Sequence, residues 1–232
     1  MTDKIQSDDM NKMILFKEWL KTRWVLLGIL LVFAAIGFYC FLNLSKVVEI
    51  RGGALLWEAM VEKDAILVDV FRYLPALAGI FLGLAQAVPE IQHKRLKLTL
   101  HLPYPQKRML LVMVAFGLLI LALLYALQAC VSAILLAQWL ASELVSRVLR
   151  TMLVWYLAGW AAYLFTWALC LEPSWKMRVP IVGVASAFLY LLFLSRMPEA
   201  YNGFLPWLLA YTLLSGVLLF HGVARFKEGA QD

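Results

Sequence analysis

Long apolar stretches alternate along this chain with short segments that carry its charged residues. Six of the stretches contain at least 17 residues each. An α-helix rises about 1.5 Å per residue, so about 20 residues cross the roughly 30 Å hydrocarbon layer of a bilayer. The pattern therefore predicts an all-α, polytopic membrane protein with six transmembrane helices. The predicted spans are residues 24–44, 73–89, 109–137, 151–171, 179–195 and 204–220.

Composition agrees with a membrane protein. Hydrophobic residues make up 63% of the 232 residues and charged residues 16%, whereas soluble domains are about half apolar and about a quarter charged. The net charge of +6 could indicate a nucleic-acid binder. The basic residues lie between apolar stretches, however, where Lys and Arg set membrane orientation. No nucleic-acid partner is expected.

The basic residues also predict which ends of the helices face the cytoplasm. Of the 21 Lys and Arg residues, 14 lie before span one, after spans two and four, or after span six. This bias places both termini in the cytoplasm. The predicted organisation is a cytoplasmic N-terminus at 1–23, a transmembrane domain at 24–224 and a cytoplasmic tail at 225–232.

Two segments outside the spans show helical patterns. Between residues 10 and 24, apolar residues recur every three or four positions, with basic residues between them. This spacing predicts an amphipathic helix in the interface whose basic residues face lipid headgroups; a plain extension of span one is the alternative. A short helix is also predicted at residues 54–62. The apolar positions of the first segment are Met13, Phe16, Leu20 and Trp24, and the basic ones are Lys12, Lys17, Lys21 and Arg23.

Residues that could perform chemistry are few. The three histidines lack helical spacing to an acid, the three cysteines show no paired spacing, and neither a nucleophile elbow nor a phosphate-binding loop is present. No catalytic, metal-binding or cofactor-binding residue is predicted, and the chain is not expected to be an enzyme. The polar side chains noted inside the spans are Gln86, Gln128, Ser132 and Thr166.

Small residues four positions apart lie on spans two and five. Such spacing lets helix backbones approach closely in a membrane. The faces either pack within the chain or meet a second subunit or a substrate path. The residues are Gly79, Gly83 and Ala87 on span two, and Gly183 and Ala187 on span five.

The longest predicted cytoplasmic connection, residues 90–108, begins with Glu90 and continues into a leucine-rich, proline-containing stretch, Leu98-Thr-Leu-His-Leu-Pro-Tyr-Pro, followed by Lys107 and Arg108. In this order of features the chain resembles the membrane subunit of a type-2 ABC exporter, a six-span permease that pairs with a separate ATP-binding subunit. Members of that family often carry a Gly-Thr pair after the acid, where this chain has Lys94, Arg95 and Leu96.

The resemblance implies a permease in a bacterial inner membrane, with ATP and Mg bound by the partner subunit and no cofactor on this chain. The coupling loop 90–108 would contact that ATP-binding cassette subunit, with Leu98 and Leu102 in an apolar groove and Glu90, Arg95 and Lys97 at its rim. A second permease copy or a paralogue would complete a dimer, with spans two and five near the path. The alternatives are a non-transporting assembly or scaffold protein and an intramembrane enzyme.

Overall fold

A computed structural model describes residues 2–92 and 106–219. Within these ranges the chain forms seven α-helices and two short 3-10 turns, and no β-strand. The helices are α1 (Thr2–Arg51), α2 (Gly53–Val61), α3 (Leu74–Gln92), α4 (Gln106–Leu136), α5 (Ser142–Leu171), α6 (Trp175–Phe193) and α7 (Leu205–Ser215).

Six helical segments are long and apolar enough to cross a membrane, which confirms the predicted number of spans. They are contained in α1, α3, α4, α5 and α6 and in the segment Asn202–Leu219, which includes α7. The short helix predicted at residues 54–62 is also confirmed, as α2.

Residues 10–24 do not form a helix of their own. They belong to α1, which continues without a break from Thr2 to Arg51, as in the alternative interpretation. Apolar positions such as Phe16 and Trp24 are exposed on the outside of the bundle, whereas Glu18 and Thr22 are fully buried against other helices. Part of the polar side of this segment therefore faces protein, and the structure does not show the separate interfacial helix.

Helix α5 is the centre of the bundle. It packs against α3, α4, α6 and α7, and most of its side chains are buried. One hydrophobic core lies between α1, α3, α4 and α5, and a smaller one joins α5 to α6 and α7. Almost all of α6 and α7 outside this smaller core is exposed when only the described residues are considered.

Ion pairs organise the end of the bundle where α1 finishes. Arg147 lies in the second turn of α5, and its Nη2 atom is 2.6 Å from Asp64 Oδ1. The Nη1 atom of Arg150 is 3.2 Å from Glu199 Oε1. Arg72 is 4% exposed and donates to the backbone oxygen of Phe193. α5 begins at Ser142, nine residues before the predicted start of span four, and its two arginines, Arg147 and Arg150, are paired rather than left in lipid.

Candidate functional site

Polar and charged side chains from three helices meet near the end of the bundle where α3 finishes and α4 begins. Two lysines and two glutamates dominate the group, and a glutamine and a tyrosine extend it toward α5. Ionisable side chains within membrane-spanning segments are rare and usually functional, which makes this the candidate site. The six side chains, called the polar cluster below, are Lys17, Glu18, Lys21, Gln86, Glu90 and Tyr163.

Glu90 joins α3 to α1. Its side chain is 1% exposed, and its Oε1 atom lies 2.7 Å from Lys17 Nζ and 3.1 Å from Lys21 Nζ. Lys17 keeps contact with solvent or headgroups at 37% exposure, whereas Lys21 is only 11% exposed. A carboxylate this deeply buried requires a cationic partner, and α1 supplies two.

Lys21 is the most fully bonded member. Its ammonium group donates to Glu18 Oε1 at 2.8 Å, to the backbone oxygen of Gln86 at 3.0 Å and to Glu90 Oε1 at 3.1 Å. A lysine ammonium has three hydrogens to donate, so every one has an acceptor. The two lysines and two glutamates balance in formal charge.

Gln86 connects the charged side chains of the cluster to α5 through hydrogen bonds. Its Nε2 atom donates to Glu18 Oε2 at 3.0 Å, and its Oε1 atom accepts from the Tyr163 hydroxyl at 2.6 Å. Tyr163, on α5, also contacts the backbone oxygen of Val114 on α4 at 3.3 Å. The polar cluster therefore ties together α1, α3, α4 and α5.

The spacing of the cluster follows from helix geometry. Residues three and four positions apart share a helix face, so Glu18 and Lys21 lie together on α1, and Gln86 and Glu90 lie together on α3. The sequence signal was visible as two complementary polar stripes. The apolar side of residues 10–24 suggests that all four basic residues face lipid headgroups, but only Lys12 and Arg23 are exposed, whereas Lys17 and Lys21 contact Glu90 on α3.

The small-residue face predicted on span two packs against α5. A side-chain carbon at Gly79 would collide with the backbone oxygen of Gly159, and one at Gly83 would come within 3.0 Å of the Thr166 side chain. Ala87 is fully buried. The close approach of α3 and α5 therefore requires glycine at position 79, where the obstacle is backbone, and leaves little room beside Gly83, where the nearest obstacle is the Thr166 side chain.

The small-residue face predicted on span five has no comparable packing. A side-chain carbon at Gly183 would meet no described atom within 4 Å, and Ala187 is exposed. This face of α6 is uncovered within the described chain.

The structure describes only the two ends of the predicted coupling loop. Glu90 belongs to α3, and Arg108 lies exposed in the first turn of α4. Arg95, Lys97, Leu98 and Leu102 lie outside the described residues, as do the three histidines. Within the described part of the chain, no three His, Cys, Asp or Glu side chains are grouped as a metal site would require.

No family model, curated protein or solved structure matches this chain.

Proposed function

We propose that this chain is the membrane permease subunit of an ATP-driven exporter, with ATP hydrolysed on a separate ATP-binding cassette subunit. The observation that carries the proposal is the position of Glu90. It lies three residues before the segment 93–105, and its buried carboxylate is held by Lys17 and Lys21 of α1. A partner that moves the loop would thereby move α1 as well as α3.

The rest of the polar cluster extends this connection through the bundle. Gln86, one turn before Glu90, is hydrogen-bonded to Glu18 on α1 and to Tyr163 on the central helix α5. A displacement applied at the end of α3 thus reaches three other helices through short polar contacts, which change partners in discrete steps rather than by gradual deformation. A subunit that is driven by another chain needs such a linkage.

The proposal includes the location and the partners. The chain lies in a bacterial inner membrane with both termini in the cytoplasm, and the loop 90–108 meets the ATP-binding subunit there. A second permease copy or a paralogue covers part of the exposed surface of α6, including Gly183 and Ala187. Membrane lipid covers the remainder.

The double variant Leu98→Ala and Leu102→Ala tests the contact with the ATPase. Truncating buried anchors at an interface can cost about 2 kcal/mol or more, or roughly thirtyfold in affinity. Membrane insertion should therefore persist while copurification of an ATPase, and its stimulated ATP turnover, fall strongly.

The matched control is Leu119→Ala with Leu123→Ala on α4, where both leucines are 60% exposed. It makes the same chemical change on the outside of the bundle and should leave partner yield and ATP turnover unchanged. Full retention of both quantities in the loop variant would contradict the coupling role. Absence of any ATPase from wild-type preparations would favour the non-transporting scaffold.

Cysteine labelling tests the orientation. In a chain lacking Cys40, Cys130 and Cys170, Gln106→Cys should be protected from a membrane-impermeant reagent in intact cells, and Asn202→Cys should react. The expectation follows from the excess of Lys and Arg near residue 106. The reverse labelling pattern would place the termini on the outside.

A further inference from the structure

Exposed charges are sorted by sign at the end of the bundle that holds the polar cluster. α3 and α5 run in the same direction and both finish there, so α6 begins there. Among the side chains that the structure describes at this end, three carboxylates are buried, being 0%, 1% and 2% exposed: Glu18, Glu90 and Glu172. Four basic side chains at the same end are exposed: Lys12, Arg23, Arg108 and Lys176. The described surface of this end is therefore cationic and complementary to an anion.

Arg23 on α1 has a ring contact but no counter-ion. Its guanidinium carbon lies 5.5 Å from the centre of the Trp24 ring, and no described carboxylate forms an ion pair with it. Trp19, four positions earlier, shares a helix face with Arg23 and is 47% exposed, and Trp24 is 70% exposed. A guanidinium above an aromatic ring keeps its N–H groups available for an acceptor, because they point outward in its own plane. These three side chains are called the Arg23 patch below.

The Arg23 patch lies where the polar part of α1 gives way to its apolar part. Next to it, four leucines on the outer surface of α1 and α4 are between 43% and 60% exposed: Leu27, Leu30, Leu123 and Leu127. They belong to segments long enough to cross a membrane, so acyl chains surround them. Tryptophan rings concentrate at the boundary between acyl chains and water, where the headgroups lie. The anion that reaches Arg23 is therefore that of a lipid headgroup, since a nucleic acid or an acidic protein would have to displace lipid from the leucines.

We propose that the Arg23 patch binds one phospholipid of net negative charge. Arg23 donates two parallel N–H bonds to the headgroup phosphate, and the two tryptophans lie beside the glycerol ester region. Arginine matches phosphate in this bidentate way, whereas a lysine ammonium acts as a point charge. A zwitterionic headgroup brings its own cation close to Arg23, so it gains less from the contact. The site does not depend on the transport function proposed above.

Phosphatidylglycerol and phosphatidylcholine with identical acyl chains test this assignment, because they differ only in the headgroup. Binding of the first lipid to the purified full chain is measured by native mass spectrometry from detergent micelles. The wild-type protein should bind phosphatidylglycerol about fivefold more tightly, the effect of about one basic residue beside an anionic lipid. Arg23→Gln should weaken phosphatidylglycerol binding by about the same factor and leave phosphatidylcholine binding unchanged. Because Arg23 is exposed, the variant should keep the wild-type unfolding midpoint.

Arg196→Gln is the matched control. Arg196 is an exposed arginine at the opposite end of the bundle, and it has no ring contact among the described residues. The substitution removes the same charge and should change neither lipid affinity. A large excess of soluble glycerol phosphate should not displace phosphatidylglycerol from the wild-type protein, because it has no acyl chains to place on the leucines.

Equal binding of the two lipids by the wild-type protein would overturn the proposal. So would retention of the full preference in Arg23→Gln. An equal loss of phosphatidylglycerol binding in Arg196→Gln would show that binding follows total charge rather than the Arg23 patch. Displacement by glycerol phosphate would overturn the assignment to a lipid and indicate a soluble phosphate compound instead.

Discussion

Replacing Glu90 with leucine is expected to lower the free energy of unfolding by about 3–5 kcal/mol, the usual consequence of removing one member of a buried ion pair. Glu90 is the partner of both Lys17 and Lys21. Without it the cluster keeps two positive charges against one negative charge, and the most buried ammonium loses one of its three acceptors. Thermal or denaturant unfolding of the purified protein in detergent measures the change.

An exposed ion pair in the same chain is the control. Glu58 Oε1 lies 3.2 Å from Lys63 Nζ on the surface, where the Glu58 side chain is 48% exposed and the Lys63 side chain is 69% exposed. Glu58→Leu should change stability by no more than about 1 kcal/mol, because exposed pairs contribute little. Combining Glu90→Leu with Lys17→Leu restores charge balance and should recover at least half of the loss. Equal effects of Glu90→Leu and Glu58→Leu would show that the cluster does not hold α1.

Replacing Gly79 with leucine is expected to separate α3 from α5 and to lower stability by about 3 kcal/mol or more, at the upper end of the usual range for overpacking. The new side chain would meet the backbone of Gly159 and Tyr163, and helix backbones cannot move aside as a flexible side chain can. The yield of monodisperse protein and its unfolding midpoint in detergent measure the effect.

Gly183→Leu makes the same change where nothing opposes it. No described atom lies within 4 Å of a side-chain carbon at Gly183, so the stability of the single chain should change by less than about 0.5 kcal/mol. If a second copy covers α6, the variant should instead weaken self-association. Similar destabilisation by both glycine variants would contradict the packing difference between α3 and α6.

The spans were predictable because they depend on summed hydrophobicity over about 20 residues, which needs no knowledge of neighbours. Even the short helix α2 followed from local sequence. The sequence did not predict that Gly79 and Gly83 pack against α5. Small residues four positions apart indicate that another helix approaches closely, but they do not indicate which helix. Only the structure places Gly159 opposite Gly79.

The polar cluster could not be assembled from local patterns. Residues 10–24 have the same periodicity whether the charged side faces headgroups or another helix, and the choice depends on Glu90, which lies 69 residues after Lys21. Gln128 was recognisable as a polar residue in a span. That its side chain is buried depends on how the helices pack around α4.

The pair formed by Lys21 and Glu18 within α1 has a consequence for biosynthesis. The ribosome adds about 5–20 residues per second, so Lys21 emerges about 3–14 s before Glu90. During that interval α1 must enter the bilayer without the helix that will later hold it, and a lone charge inside lipid is costly. Glu18 lies 2.8 Å from Lys21 on the same helix, so the nascent segment carries its own counter-ion. α3 then adds two more acceptors, the Gln86 backbone oxygen and Glu90 Oε1, to a lysine that was never without one.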